Sequence, residues 1–343
     1  MSATLRSENA GQEDRRRVTA FDVARLAGVS RSTVSRSFTA GAPVSPEKRE
    51  RILAVAERLG YRPNALAAGL NSRSSNLVAV VTGSLANHYD TVVTGQLVER
   101  LSRIGKWAVL VAGSSSDPGS REILEVLGYP LEAMVVRAGS VDAETASKCL
   151  KLNVPLVVSG RIVDIEGVDS LGCDNVAGAR IAVEEMLRTG RRRIGYIGGE
   201  PALVSEQERC AGFRSALAEA GMQPVAMEWS DFTFEGGFAS ASRMLARPER
   251  PDALFCCNDA MAIGALNAAR DVLGLPVPEE LAIIGFDDID MASWACFNLT
   301  TVRNPIDRTV DEIMRLVVSR LAEPARRSEM VSLTPALVRR GTH

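Results

Sequence analysis

Residues 18–70 read VTAFDVARLAGVSRSTVSRSFTAGAPVSPEKRERILAVAERLGYRPNALAAGL, and elementary local chemistry resolves most of them into short helices. Thr19 is a strong N-cap, with Asp22 three residues on in a capping-box-like arrangement. Phe21, Val23, Ala24, Leu26 and Ala27 then give an amphipathic helix that Gly28 stops. Val29 follows as an apolar plug, and Ser30 caps a second helix, Arg31 to Phe38, with Val34 and Phe38 turned inward. Ser45 and Pro46 supply the N-cap and first residue of a third helix, striped by Ile52, Val55, Ala56 and Leu59 and ended by Gly60. Two short helices around a glycine-containing turn match helix-turn-helix spacing. The second helix offers Arg31, Ser32, Thr33, Ser35 and Arg36 without a carboxylate among them. Guanidiniums suit guanine edges and hydroxyls suit phosphates or bases, so this is the composition of a major-groove reader.

The charge around this stretch agrees. The 343-residue chain has a formal net charge of −2, but residues 1–73 hold 13 Lys/Arg against 7 Asp/Glu, and residues 74–343 hold 27 against 35. A basic module on an acidic body points to an anionic polymer as partner. The arm 1–17 is polar and without periodicity, so it is expected to be disordered, with Arg15, Arg16 and Arg17 as possible phosphate contacts. It has no apolar signal-peptide core, and no run of the chain is apolar for the roughly 18 residues a span needs, so a cytoplasmic protein with no membrane contact is expected. The six cysteines are scattered, and the two histidines, His88 and His343, offer no partner set for zinc or a catalytic triad. No glycine-rich nucleotide loop is present. No metal, no cofactor and no enzymatic activity are expected.

The stretch also resembles the headpiece of the lactose-repressor (LacI/GalR) family. That family's pattern V-T-x-x-D-V-A-x-x-A-G-V-S-x-x-T-V-S-R, then V-S-x-x-[TK]-R and L-G-Y-x-P-N-x-x-A, is met almost position for position. The resemblance implies that Arg31, Ser32 and Arg36 read bases, and that Thr19, Ser30, Thr33 and Ser35 hold phosphates. Thr39 departs from the family's usual Asn and should contact the backbone less well. Pro63 to Leu70 reads as a helix of barely two turns, too short to be stable alone. In the family this hinge folds only on DNA, which makes Asn64 and Leu70 DNA-binding positions, with Leu70 wedging into a minor-groove base step. Gly69 costs this hinge about 1 kcal/mol of helix propensity.

Beyond the hinge, apolar strands alternate with amphipathic helices. The strand readings are Leu77–Thr82, Ala108–Ala112, Ala133–Arg137, Leu156–Ser159, Ile194–Gly198, Ala253–Asn258 and Leu281–Asp287; the helical ones include Thr91–Ile104, Val176–Thr189, Glu206–Ala220, Phe234–Leu245, Ala260–Leu273 and Arg308–Leu321. This alternation predicts parallel, doubly wound sheets, and the length predicts two lobes with a ligand between them. The whole is an all-α helix-turn-helix headpiece plus an α/β effector domain of two doubly wound lobes. The resemblance extends here through CDNVAGARIAVEEMLRTGRRRIGYIGG, ERCAGFRSALAEAG and FCCNDAMAIGALNAARDVLGLPVPEELAIIGFDD, and implies a periplasmic-binding-protein-like fold. The expected division is an arm 1–17, a headpiece 18–63, a hinge 64–76 and an effector domain 77–343. Within the last, one lobe is expected over 77–174 and 303–323 and the other over 175–302 and 324–340, with crossings near Asp174, Val302 and Pro324.

Carried over residue by residue, the family's pocket falls on Tyr89, Asp90, Arg161, Ser205, Arg209, Phe232, Asn258 and Asp287. Arg209 can fork onto vicinal hydroxyls or a carboxylate, and Asp287, closing an apolar strand, can accept from hydroxyls. Arginines and aspartates around aromatic rings favour a sugar or polyol, then a sugar acid, with a purine or other nucleobase as the alternative. The expected protein is therefore a homodimeric repressor of operator DNA, with helix Thr91–Ile104 at the dimer contact, controlled allosterically by a small polar effector. A free-standing ligand receptor or a sugar-modifying enzyme would lack a use for the headpiece. No leucine-heptad tail follows residue 330, so no appended tetramer-forming helix is expected.

Overall fold

The computed structural model describes residues 18–39, 41–63, 75–83, 85–112, 121–137, 141 and 143–343. The chain divides into two compact units, Met1–Ser75 and Asn76–His343. The polar arm 1–17 and the hinge positions Asn64 and Leu70 lie outside the described residues.

The first unit carries helices α1 (Ala20–Ala27), α2 (Arg31–Ser37) and α3 (Pro46–Leu59). Asp22 accepts from the Thr19 amide (3.0 Å) and hydroxyl (2.7 Å), fixing the start of α1, and Gly28 ends it in the left-handed conformation. Val23, Ala24, Ala27, Val34, Ile52 and Ala56 are buried together, and the rings of Phe38 and Tyr61 meet edge-on at 5.8 Å. Phe21 and Leu26 do not join this core as the sequence pattern suggests; they stand 58% and 49% exposed. A helix of two turns seats one narrow arc against its neighbours, and Val23, Ala24 and Ala27 already fill it.

The second unit builds two sheets. The first lobe contains β1 (Leu77–Thr82), β2 (Trp107–Ala112), β3 (Leu131–Val136), β4 (Leu156–Ser159), β5 (Val168–Cys173) and β11 (Met330–Leu333), in the order β11-β5-β4-β3-β1-β2 and all parallel. The second contains β6 (Ile194–Gly198), β7 (Ala226–Trp229), β8 (Ala253–Cys256), β9 (Ala282–Asp287), β10 (Thr300–Arg303) and β12 (Ala336–Val338), in the order β12-β10-β9-β8-β6-β7. There only β12 runs antiparallel to its neighbour. The helices that matter below are α4 (His88–Arg103), α5 (Arg121–Val126), α6 (Ala143–Lys151), α7 (Asn175–Arg188), α8 (Val204–Glu219), α9 (Phe234–Leu245), α10 (Asp259–Asn267) and α11 (Ile306–Ala322). Central strands such as VAVV and AIIGF are buried on both faces, as parallel sheets covered by helices require. In α4, Val93, Leu97 and Leu101 face their own lobe's core, while Val92 and Val98 are half-buried and Ile104, just past its end, is exposed.

The chain crosses between lobes after β5, after β10, and between Leu333 and Ala336. The third crossing is thus not at Pro324, and residues 330–333 belong to the first lobe. The cause is Asp169, fully buried on β5. It accepts from Arg320 (2.8 and 3.0 Å), from Arg326 (2.7 Å) and from the Glu329 amide (2.9 Å), which holds the segment after α11 against the first sheet.

Candidate DNA-reading helix and effector cleft

Ser30 opens α2 by accepting from the Thr33 amide at 3.2 Å, and its hydroxyl lies 2.8 Å from those of Ser32 and Thr33. Ser37, by contrast, turns inward and donates to the Thr33 carbonyl at 2.8 Å. Arg31, Ser32, Ser35 and Arg36 are exposed, and Thr33 is half-buried. Arg36 lies along the helix, donating to the Ser32 carbonyl at 3.3 Å, while Arg31 has no ion pair among the described residues. Thr19 sits at the start of α1 with both its amide and its hydroxyl proton given to Asp22. Sequence reading missed Arg49 on α3. Its guanidinium donates to the carbonyls of Ser37 (2.7 Å), Thr39 (3.2 Å) and Ala42 (3.0 Å), tying down the end of α2 and the loop after it.

In the second unit, a cavity of about 470 Å³ opens between the lobes at the carboxyl ends of the strands, where open α/β sheets bind ligands. Tyr89, Asp90, Arg161, Ser205, Arg209, Phe232 and Asp287 all line it. Asn258 does not. Its Oδ1 accepts from the Met261 amide (2.9 Å) to cap α10, and its Nδ2 donates to the Phe232 carbonyl (2.9 Å), so it positions Phe232. Phe232 is in the left-handed region (φ 63°), and its ring lies where a side chain on Gly199 would have to go. A Cβ there would come within 2.1 Å of the ring, so only glycine leaves room.

Arg209 is buried on α8 and anchored from several sides. It donates to Asn175 Oδ1 at 2.9 Å and to the Cys257 carbonyl, and its guanidinium lies 3.7 Å from the centre of the Phe286 ring. Its remaining nitrogen reaches Asp287 Oδ1 at 3.4 Å. Burial pushes the Asp287 carboxyl up to about 6, against the opposing pull of Arg209 and the Asn304 amide. Asp287 and Asp288 both adopt positive φ (114° and 57°), an arrangement that neighbours must hold. Asp288 accepts from Arg303 (2.7 Å) and Arg340 (2.6 Å), beside two of the inter-lobe crossings.

Across the cavity, Asp90 accepts from Arg137 at 2.7 Å, and Arg137 also donates to Ser159 Oγ at 3.2 Å. Tyr89 lies 3.5 Å from the Thr309 hydroxyl, and burial raises its phenol well above its ordinary range. Arg137, Asn175 and Asn304 line the cavity and were not anticipated as site residues. Arg137 directly follows β3, nearly the same positional signal that marks Asp287 at the end of β9.

A helix-turn-helix unit joined to a two-lobed domain with a ligand-sized cleft defines a class, the DNA-binding regulator with a small-molecule-binding body. Residues 19–64 match the model of bacterial regulatory proteins of the lacI family, and residues 183–343 that of a periplasmic binding protein-like domain. The HTH-type transcriptional regulator CelR of Thermobifida fusca is 34% identical over 328 residues, covering 92% of this chain and 96% of CelR. Among solved structures, the lac repressor dimer bound to operator and the anti-inducer ONPF is 27% identical with a TM-score of 0.79, covering 95% of this chain and 99% of that one. The complex of CelR with cellobiose is 30% identical with a TM-score of 0.69, covering 95% and 100%. The chain belongs to the lacI family of bacterial regulatory proteins. No helix among the described residues is long and apolar enough to cross a membrane.

Proposed function

We propose that the protein is a repressor that binds a near-palindromic operator as a homodimer, with α2 in the major groove, and that a polyhydroxylated effector in the cleft controls its DNA affinity. The observation that carries this is the exposed face of α2, where Arg31, Ser32, Ser35 and Arg36 meet solvent with no carboxylate between them. Arg31, Ser32 and Arg36 read base edges, and the hydroxyls of Ser30, Thr33 and Ser35 hold phosphates. Thr19, whose donors are taken by Asp22, acts by fixing the start of α1. Residues 64–70, including Asn64 and Leu70, serve as the DNA-contacting hinge.

In the cleft, Arg209 and Asp287 present a donor and an acceptor side by side, the pair a vicinal diol takes up, and Phe232 and Tyr89 supply faces for the ring. The cellobiose complex of a 30% identical regulator supports a sugar-like ligand. Effector binding shifts the population of DNA-competent dimers, and the site of action is the cytoplasm, where the operator is. The test is a fluorescence anisotropy titration of operator-like palindromes with the full chain, with and without a panel of sugars, polyols and sugar acids. A specific complex that one panel class strengthens or weakens is expected. DNA binding indifferent to sequence, or to every compound, would overturn the reading.

A further inference from the structure

Among the described residues three arginines line the cleft, and two are neutralised within the protein. Arg209 meets Asp287 at 3.4 Å and Arg137 meets Asp90 at 2.7 Å. Arg161 is different. It has no ion pair among the described residues, and its buried Nε, like that of Arg137, finds no hydrogen-bond partner. Burial lowers its pKa with no carboxylate opposing the shift. Two further carboxylates line the cleft, and both are engaged: Glu200, and Asp231, which is occupied by the hydroxyl of Thr233 at 2.6 Å and that of Ser230 at 3.1 Å.

This cation is also held firmly in place. The Arg161 backbone bridges Leu171 on β5, and the Gly160 amide donates to the Leu171 carbonyl at 2.9 Å. The main chain of Arg161 passes so close to Gly172 that a Cβ there would lie 3.1 Å from its Cα and amide nitrogen. The strand therefore gives up a side chain to bring Arg161 to the cleft wall. An unpaired charge taken partly out of water is costly unless something else completes it.

Resting on the reading that the cleft takes a polyhydroxylated effector, we propose that this effector is an anion whose carboxylate or phosphate is received by the Arg161 guanidinium, while Arg209 and Asp287 take its hydroxyls. A planar fork of donors suits either oxyanion.

The test is calorimetric titration of the full chain with matched pairs. Galacturonate is set against galactose, glucuronate against glucose, and glucose 6-phosphate against glucose as the phosphate source. The acid or phosphate of at least one pair should bind about 10- to 100-fold more tightly than its neutral parent, the range of a charge-assisted hydrogen bond. Preference within the phosphate pair alone assigns phosphate as the anion, and preference within a uronate pair assigns carboxylate. In Arg161→Gln the ratio should fall toward one, and Arg161→Lys should keep part of it. Neutral sugars bound as tightly as their acids by the unaltered protein would overturn the inference and leave the effector reading standing. So would an undiminished ratio in Arg161→Gln. If no sugar, acid or phosphate binds, the effector reading falls and the inference with it.

Discussion

Replacing Arg209 by Met should destabilise the protein far more than replacing Asp287 by Asn, although the two form one ion pair. At 3.4 Å and an effective dielectric constant of 20, their gross attraction is about 5 kcal/mol. Yet the Asp287 carboxyl still titrates at about 6 rather than 3.8, so its burial outweighs that attraction. At 1.36 kcal/mol per unit, ionising it in the fold costs about 3 kcal/mol, a cost Asn does not carry. Arg209 without the carboxylate keeps Asn175, the Cys257 carbonyl and the Phe286 ring. We therefore expect Asp287→Asn to cost within about 1 kcal/mol at pH 7.5 and Arg209→Met about 3–5 kcal/mol, the loss seen when a buried charge is left alone. The double variant should be about 2 kcal/mol more stable than the sum of the single losses, because the stranded carboxylate is gone. Urea unfolding of the full chain, followed by far-ultraviolet circular dichroism, measures all three. Equal losses for the two single variants, or strict additivity, would refute the reasoning.

The same carboxyl sets a pH dependence. Because its folded pKa lies above its unfolded one, the stability it contributes is fully present below pH 4 and is lost as pH rises through about 6. Asp287→Asn should remove that component between pH 4.5 and 7 in pH-dependent unfolding, and identical pH profiles would count against it. Gly199→Ala should cost about 1–3 kcal/mol, since the new methyl must displace the Phe232 ring that it approaches within 2.1 Å, and thermal melting reads the loss. Asp169→Asn takes from Arg320 the only carboxylate it meets among the described residues, at a site with no exposure, while Arg326 keeps Glu329, and should lower stability by about 3–5 kcal/mol; an unchanged melting temperature would show that the cluster is not what holds the third crossing. Exchanging Arg31 and Ser32 should change which bases are preferred in a selection from randomised operators, whereas uniform weakening would mark them as positioning residues.

The headpiece was legible almost to the residue because everything that shapes it is local. Caps, a left-handed glycine and a short apolar arc act within a few positions of one another, and Phe21 and Leu26 went astray only because two turns leave little arc to fill. The cleft was legible where a residue ends an apolar strand, as Asp287 does. Asn258 occupies the same kind of position, but as cap of the following helix its side chain is consumed by Met261 and Phe232. Strand ends thus give the height of a residue in the sheet. They do not reveal whether its polar atoms are already engaged, which depends on partners remote in sequence such as Asn175, 34 residues from Arg209.

Two of the strands that escaped the pattern, β5 and β11, share one physical reason. Val-Asp-Ser-Leu-Gly-Cys at 168–173 has too few apolar side chains to read as a buried strand, yet Asp169 and Ser170 are fully buried in it. They are there because Asp169 collects Arg320, Arg326 and the Glu329 amide from a segment about 150 residues later. Only such a distant charge makes burial of the carboxylate tolerable, and the same contact pins β11 beside β5. Periodicity reports the face a strand presents, whereas the lobe it joins is set by long-range polar bonds. That is why the third crossing falls at Leu333–Ala336, after the cluster has been satisfied, and not at the proline that ends the helix.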